Sequence, residues 1–351
     1  MRERKTMKKD NTPKDTKKQS KLYKFLKVMI WIMAVFVVIL LGARLYFRLL
    51  VSSYYDNSEK TFEIPDINSG FIAQGLAFDD RSGYFFTTGY MNDGSSSPIY
   101  IVDKSTDEYL KRLIMQNPDG TEFYGHAGGI TVHGDYIYVA GSADHCLYVF
   151  SYDEAINAED NHSLKSLGTF PMPDDMSVAF TYSDSDVIYA GEFYRDPNYS
   201  TDESHKMTTS AGDYNQALMF AYRFSDEPDA LFGIERAPFE CYSITDLVQG
   251  MCTHDGKIFL STSYGLAFSH IYEYDKPVSS KNVSYGGTEL PLFELDSSCL
   301  AKDYKFPPMA EEIVIVDNRL YTMCESASNK YIFGKITSSK WCYSTDLEWD
   351  D

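Results

Sequence analysis

Positive charge is scarce over most of this 351-residue chain. Residues 52–351 hold 19 basic against 48 acidic residues, a net of −29. A surface of that sign is repelled by phosphate backbones, which excludes nucleic acid as a partner. Metal-ligand spacing is missing as well: the six cysteines form no C-x-x-C and no paired Cys/His knot. No H-E-x-x-H, G-x-S-x-G or phosphate-loop pattern occurs. Asp and Asn never fall in EF-hand order, so no specific calcium loop is expected, although the density of carboxylates allows weak divalent cation binding. No cofactor is expected. There is no Gly-X-Y period, and 44% apolar with 15% aromatic residues is too hydrophobic for a disordered chain. Beyond the N-terminal fifty residues helical patterning is nearly absent; DEAINAEDN (153–161) fits one turn in a loop.

One long apolar run is present. Val28–Ala43 carries no charge, with Lys24 and Lys27 before it and Arg44 and Arg48 after it. Sixteen residues rise about 24 Å, short of a ~30 Å hydrocarbon core, but Phe25–Phe47 rises about 35 Å with Lys27 and Arg44 snorkelling. Eleven basic and three acidic residues in 1–27 place the N-terminus in the cytoplasm. The expected organisation is a basic cytoplasmic tail (1–24), a transmembrane signal anchor (25–47), a juxtamembrane linker (48–60) and an extracytoplasmic domain (61–351). This makes a single-pass protein of the cell membrane. A cleaved signal peptide is the alternative, but Leu41 suits position −3 of a cut after Ala43 poorly. A cut after Ser53 lies beyond both arginines. A buried helix is the other alternative.

All six cysteines (Cys146, Cys241, Cys252, Cys299, Cys324, Cys342) fall in the outer domain. An even number there permits disulfides in fifteen connectivities, with Cys324 and Cys342 the first pair to test. Buried free thiols are equally ordinary within apolar strand patterns.

The outer domain repeats one phrase: an alternating apolar strand, a tight turn, then an aromatic strand. It reads QGLAFDDRSGYFFTTG (74–89), GGITVHGDYIYVAG (128–141), MSVAFTYSDSDVIYAG (176–191), QGMCTHDGKIFLSTS (249–263) and EEIVIVDNRLYTMCE (311–325). A third strand follows each: SPIYIVD, CLYVFSY, ALMFAYRF, HIYEYD and KYIFGKI. A fourth follows in most units: EYLKRLIM, LKSLGTFPM, FECYSI and PLFEL. Such repeats predict an all-β fold, a β-propeller preceded by one transmembrane helix. The last unit lacks a fourth strand, and TFEIPD (61–66) is the natural supplier, closing the ring and removing exposed edges. Five blades are expected. Six is the rival, because 192–247 is long enough to hide another.

In each hairpin the start of the first strand and the end of the second share one end of the ring. On that face lie Gln74, Tyr90, His126, Asp175, Glu192, Tyr194, Gln249, Tyr264, Glu311, Glu312 and Glu325. Polar residues opening buried strands are costly unless paired, about 1–3 kcal/mol each, so their recurrence marks a candidate site. A polar, water-filled channel mouth accounts for them equally. The long connection 192–216 and the shorter YMNDGSSS (90–97) reach the same face, whereas His133 and His254 sit in hairpin turns at the other. Asn161, Asn198 and Asn282 stand in N-x-S sequons.

Unit one, IAQGLAFDDRSGYFFTTGYMNDGSSSPIYIVD, resembles the opening blade of bacterial and plant-type glutaminyl-peptide cyclotransferases, with a T-[QE]-G-L…Y-E-S-T-G…S-x-[IV] pattern. Gln74-Gly75-Leu76, Thr88-Gly89 and Ser97 carry the match. QGMCTHDGKIFLSTSYG is similar to that family's G-x-A-x-D-G-x-x-L-Y-x-S-D-G blade, and Glu311-Glu312 falls at its N-E-L-E element. The resemblance implies a five-bladed propeller and covers about a third of the outer domain. Thr87 replaces the family's acidic residue before Ser-Thr-Gly, and N-E-L-E is reduced to Ala310-Glu311-Glu312-Ile313. Cyclising an N-terminal glutamine needs positioned carboxyls for proton transfer, so these departures bear on the reaction more than on the fold.

Two functions fit. The first is a membrane-anchored propeller binding an extracytoplasmic peptide, protein or glycan at its acidic, Tyr-rich mouth, through Gln74, Tyr90, Glu192, Tyr194, Gln249 and Tyr264. The second is an enzyme of cyclotransferase or hydrolase type, with Glu311, Glu312 or Glu325 as general acid/base and His126 assisting. A structural role in an envelope assembly is a third.

Overall fold

The computed structural model describes residues 13–173, 176–279, 281–337 and 340–348. Asp175 and the first twelve residues of the basic tail lie outside the described residues.

Five sheets form the ring. In blade 1 the strands run Phe71–Asp79, Tyr84–Met91, Pro98–Asp103 and Glu108–Gln116 from the centre outwards, with His162–Lys165 added in parallel at the rim. Blade 2 is Ala127–His133, Tyr136–Gly141, Cys146–Ser151 and Gly168–Pro171. Blade 3 is Phe180–Ser183, Val187–Gly191, Ala217–Arg223 and Glu240–Ile244. Blade 4 is Val248–His254, Lys257–Thr262, Ser269–Asp275 and Leu300–Phe306. Blade 5 is Ala310–Val316, Arg319–Cys324, Trp341–Thr345 and, as its outermost strand, Ser58–Glu63. The first strand of the ring thus pairs antiparallel with the last, Ser58 opposite Thr345 and Glu63 opposite Trp341. Each innermost strand packs on its two neighbours all the way round, so the circle is complete at five.

The turn chemistry sets the hairpins. Asp255-Gly256 and Asp317-Asn318 take positive φ at both turn positions (49° and 76°; 51° and 60°), matching the twist of the strands they join. Aromatic side chains fill the wedges between blades. Phe85 of blade 1 lies 5.3 Å from Phe62 and 4.8 Å from Tyr321, both of blade 5, which fastens the closure. Burying rings of this size contributes about 1.5–3 kcal/mol each.

Two details differ from the sequence reading. PLFEL does not complete blade 4; Thr288–Glu294 runs parallel to Glu240–Ile244 on the rim of blade 3, paired with Lys281–Tyr285. Leu300–Phe306 takes that place because Tyr304 and Phe306 alternate inward and are buried. KYIFGKI is no strand: Ile332 and Phe333 are exposed, and the chain makes 3-10 turns at Glu325–Ala327 and Gly334–Ile336 before Trp341–Thr345 enters the sheet. The 192–247 stretch, where a sixth blade was the rival, holds a small hairpin, Met207–Thr208 with Tyr214–Asn215, and then the third and fourth strands of blade 3, so the expected five blades stand.

At the N-terminus a helix covers Pro13–Leu49, and its Ser20–Leu49 portion is long and apolar enough to cross a membrane. None of that window is buried in the protein. The segment after it is no slack linker. Ser52–Asp56 is helical, and Val51 and Tyr54 are buried between blades 4 and 5, Tyr54 lying 4.5 Å from Phe306 and 5.7 Å from Tyr343. Tyr152–Asn157 forms the short helix expected in the 153–161 loop. All six cysteines are free thiols, Cys324 and Cys342 included.

Candidate functional site

The innermost strands break register near the mouth, at Ala73/Gly75, Ala127/Ile130, Val248/Gly250 and Ala310/Ile313. Such bulges release backbone N–H groups from the ladder and turn them into the channel. One side chain collects them. Glu312 enters the channel from blade 5 and accepts hydrogen bonds from Leu76 N–H (2.9 Å) of blade 1 and Ile130 N–H (2.8 Å) of blade 2 on Oε2. Thr181 N–H of blade 3 donates to its Oε1 at 3.4 Å. Glycine makes the room: a Cβ on Gly129 would stand 2.4 Å from Glu312 Oε1, and one on Gly250 2.4 Å from Glu312 Cα. Burial holds the Glu312 carboxyl well above its ordinary range, opposed by the three N–H donors.

Above this plug, a cavity of ≈ 630 Å³ opens at the mouth and takes residues from all five blades. Gln74, Tyr90, His126, Gln249, Tyr264 and Glu325 line it together. Gln74 Nε2–H and Tyr331 O–H both donate to Glu325 Oε2, at 3.0 and 3.1 Å, leaving acceptor capacity on the other oxygen. Burial pushes the Glu325 carboxyl up to about 7, against the Tyr331 hydrogen bond, the Lys330 ammonium and the Gln74 amide. His126 stands edge-on to Tyr90, ring centroids 4.4 Å apart. Surrounding protein and the Lys330 ammonium lower its imidazole from 6.5 toward about 4. The ring still faces the solvent of the mouth, which softens that desolvation. Lys330 donates to the Tyr90 hydroxyl and lies 4.7 and 5.2 Å from the Tyr90 and Tyr331 ring centroids. Arg195 stacks 3.7 Å from the Tyr264 ring centroid on the far wall.

Glu311 lies beneath, fully buried, and its Oε1 has no hydrogen-bond partner. Burial and then the Glu325 and Glu312 charges hold this carboxyl well above its ordinary range. Glu192 and Tyr194 stand outside the cavity lining. Both Glu192 oxygens are 3.0 Å from His205 Nδ1, and Oε2 also accepts Leu218 N–H at 3.0 Å, which ties down the 192–216 connection. Tyr194 is buried, with Lys206 Nζ 5.2 Å from its ring centroid. His133 occupies the other end of the channel, stacked on Phe224 at 3.5 Å, and His254 is in the corresponding turn of blade 4.

Sequence reasoning missed Lys330 and Tyr331, because KYIFGKI had been assigned to a strand. Phe193 and Tyr199, edge to face at 5.4 Å, lay inside the connection already singled out. Thr87, where the resembling family is acidic, is buried with its hydroxyl 3.7 Å from Met323 Sδ, so no charge replaces the missing carboxyl there. Among the described residues no group of three or more His, Cys, Asp or Glu is placed to hold a metal ion.

No protein-family model matches the chain, and no curated protein matches it. Among solved structures it is similar to the glutaminyl cyclase of Myxococcus xanthus, at 13% identity over 82% of this chain and 94% of that one, with a TM-score of 0.40. It is also similar to the PQQ-bound aldose sugar dehydrogenase of Streptomyces coelicolor, at 13% identity over 82% and 96%, TM-score 0.41. A luciferin-regenerating enzyme matches at 11% over 83% and 96%, TM-score 0.42. Likenesses this distant say nothing of what the chain does, and its architecture is read from its own strand pairing.

Proposed function

We propose that this chain is a membrane-anchored propeller, N-terminus in the cytoplasm and ring outside, that binds a peptide or glycan fragment in its mouth cavity. The observation that carries the reading is the single cavity in which tyrosine faces surround polar groups of both signs, Glu325 and Lys330. Its volume falls within the roughly 300–1,000 Å³ range of small-ligand sites. Tyrosine rings offer flat apolar contact, while Gln74, Gln249 and Glu325 suit hydroxyl or amine donors. The apolar helix behind a tail of eleven basic residues supports the anchoring. The test is retention of the full chain, in detergent, on peptide and glycan arrays. Retention that falls at least tenfold in Glu325→Gln, with unfolding unchanged, supports the reading; equal retention by both proteins refutes it.

One observation favours a second reading, an enzyme of cyclotransferase or hydrolase type. Glu325, pushed up to about 7 by burial, and His126, lowered toward about 4, line the same cavity, and such a pair fits general acid/base chemistry at neutral pH. Incubating a peptide that begins with glutamine and weighing the product separates the two. Loss of ammonia, abolished by Glu325→Gln, selects the enzyme; unchanged peptide selects the binder.

A further inference from the structure

The membrane helix and the cavity share one side of the ring. Arg44 Nη1 donates to the carbonyl oxygen of Lys335 at 3.0 Å, and the Phe47 ring lies 5.6 Å from Phe268. Lys335 belongs to the connection between the second and third strands of blade 5, and Phe268 to the equivalent connection of blade 4. Those two connections also supply Lys330, Tyr331 and Tyr264 to the cavity wall. The helix therefore leaves from the mouth face, and the buried Val51 and Tyr54 fix its last turns against blades 4 and 5.

The same two connections carry apolar side chains into solvent: Ile332 is 80% exposed, Phe333 67% and Leu266 45%. Ile332 and Phe333 immediately precede the Gly334–Ile336 turn that touches the helix. On a chain of net charge −19, Lys330 and Lys335 flank them in sequence, Arg44 bonds to Lys335, and Arg48 and Lys305 stand where the helix meets the ring. Arg48 lies 4.2 Å from the Tyr55 ring centroid and Lys305 4.1 Å from that of Phe268. Exposed apolar tips with cations on one flank are the pattern of a surface that settles into the headgroup layer of an anionic membrane.

We infer that the ring lies mouth-down on the bilayer its helix crosses, with Ile332 and Phe333 entering the boundary between headgroups and acyl chains. The cavity then opens on the headgroup layer. This rests on the anchored reading above and is independent of which ligand the cavity holds.

The test uses the full chain reconstituted in vesicles of phosphatidylcholine and phosphatidylglycerol. An environment-sensitive fluorophore is placed on Phe333→Cys, with Leu266→Cys as a second point on the mouth face and Asp135→Cys at the opposite end. Five of the native thiols are buried, and the unsubstituted chain gives the background labelling. Lipids carrying a spin label near the headgroup should quench the probe at 333, and at 266, several-fold more than the probe at 135. Equal insensitivity at all three, in a chain that resists alkaline extraction, overturns the orientation while leaving the anchor standing. Release of the chain by alkaline extraction overturns the anchor and this orientation together.

Discussion

At the scale of single residues, two buried carboxyls divide the labour that the sequence pooled into one acidic mouth. Glu312 is a tie: its Oε2 gathers N–H groups from blades 1 and 2. Replacing it with methionine fills similar space but leaves those donors unpaired, at about 1–3 kcal/mol each. Urea unfolding of Glu312→Met should therefore show a loss of about 2–6 kcal/mol, whereas Glu312→Gln, whose amide oxygen can stand in for Oε2, loses much less. Equal losses in the two variants would remove the tie from the account. Glu325 is the solvent-facing partner, raised by burial from 4.5 to about 7. Between those pH values the folded chain keeps a proton that the unfolded chain has lost. The contribution of this group to stability is thus full below about 4.5 and declines as pH rises through 7. Unfolding free energies of the native chain and Glu325→Gln, compared from pH 4 to pH 8, should diverge across that window in favour of the variant. A constant difference would place the Glu325 pKa elsewhere.

At the scale of elements, the hairpins were legible and the connections were not. Period-two alternation closed by a tight turn rich in Asp, Gly or Asn defines a hairpin locally, so ten strands of the five inner hairpins could be read directly. Most third and fourth strands were legible too, and the exceptions are chosen by tertiary fit: PLFEL and Leu300–Phe306 compete for one edge, and burial of Tyr304 and Phe306 decides it. KYIFGKI (330–336) reads as a strand because it is rich in Tyr, Ile and Phe, yet it joins no sheet, and its Lys330 and Tyr331 form part of the cavity wall instead. Glu192 was read as a mouth residue from its phase in the repeat. The structure spends its carboxylate on His205 and the Leu218 N–H, a use no local pattern announces. His205→Ala should loosen the 192–216 connection without unfolding the ring. Limited proteolysis within it is expected to run at least several-fold faster, while the ring still unfolds in one cooperative transition. Unaltered cleavage would show that the hairpin and the Tyr285 hydrogen bond to Ser204, not this pair, hold the loop.

At the scale of the whole molecule, every placement at the mouth depends on closure. Gln74 and Tyr90 come from the first blade, and Glu311, Glu312 and Glu325 from the last or the turn that follows its second strand. What brings them together is Ser58–Glu63, which follows the short helix Ser52–Asp56 and pairs with Trp341–Thr345. One strand thus couples the apolar N-terminal helix to the ring and the beginning of the domain to its end. The closing strand was legible because the last unit lacks a fourth strand and TFEIPD (61–66) precedes the first repeat; the strand itself, Ser58–Glu63, begins three residues earlier. The closing contact can be measured directly, since Ser58 Oγ and Thr345 Oγ1 lie 2.8 Å apart across the pair. In a Ser58→Cys/Thr345→Cys double variant of the full chain, the account predicts a disulfide that forms on mild oxidation and raises stability by about 2–4 kcal/mol. Failure of the two thiols to cross-link in the folded protein, or a cross-link that forms only after unfolding, would contradict it.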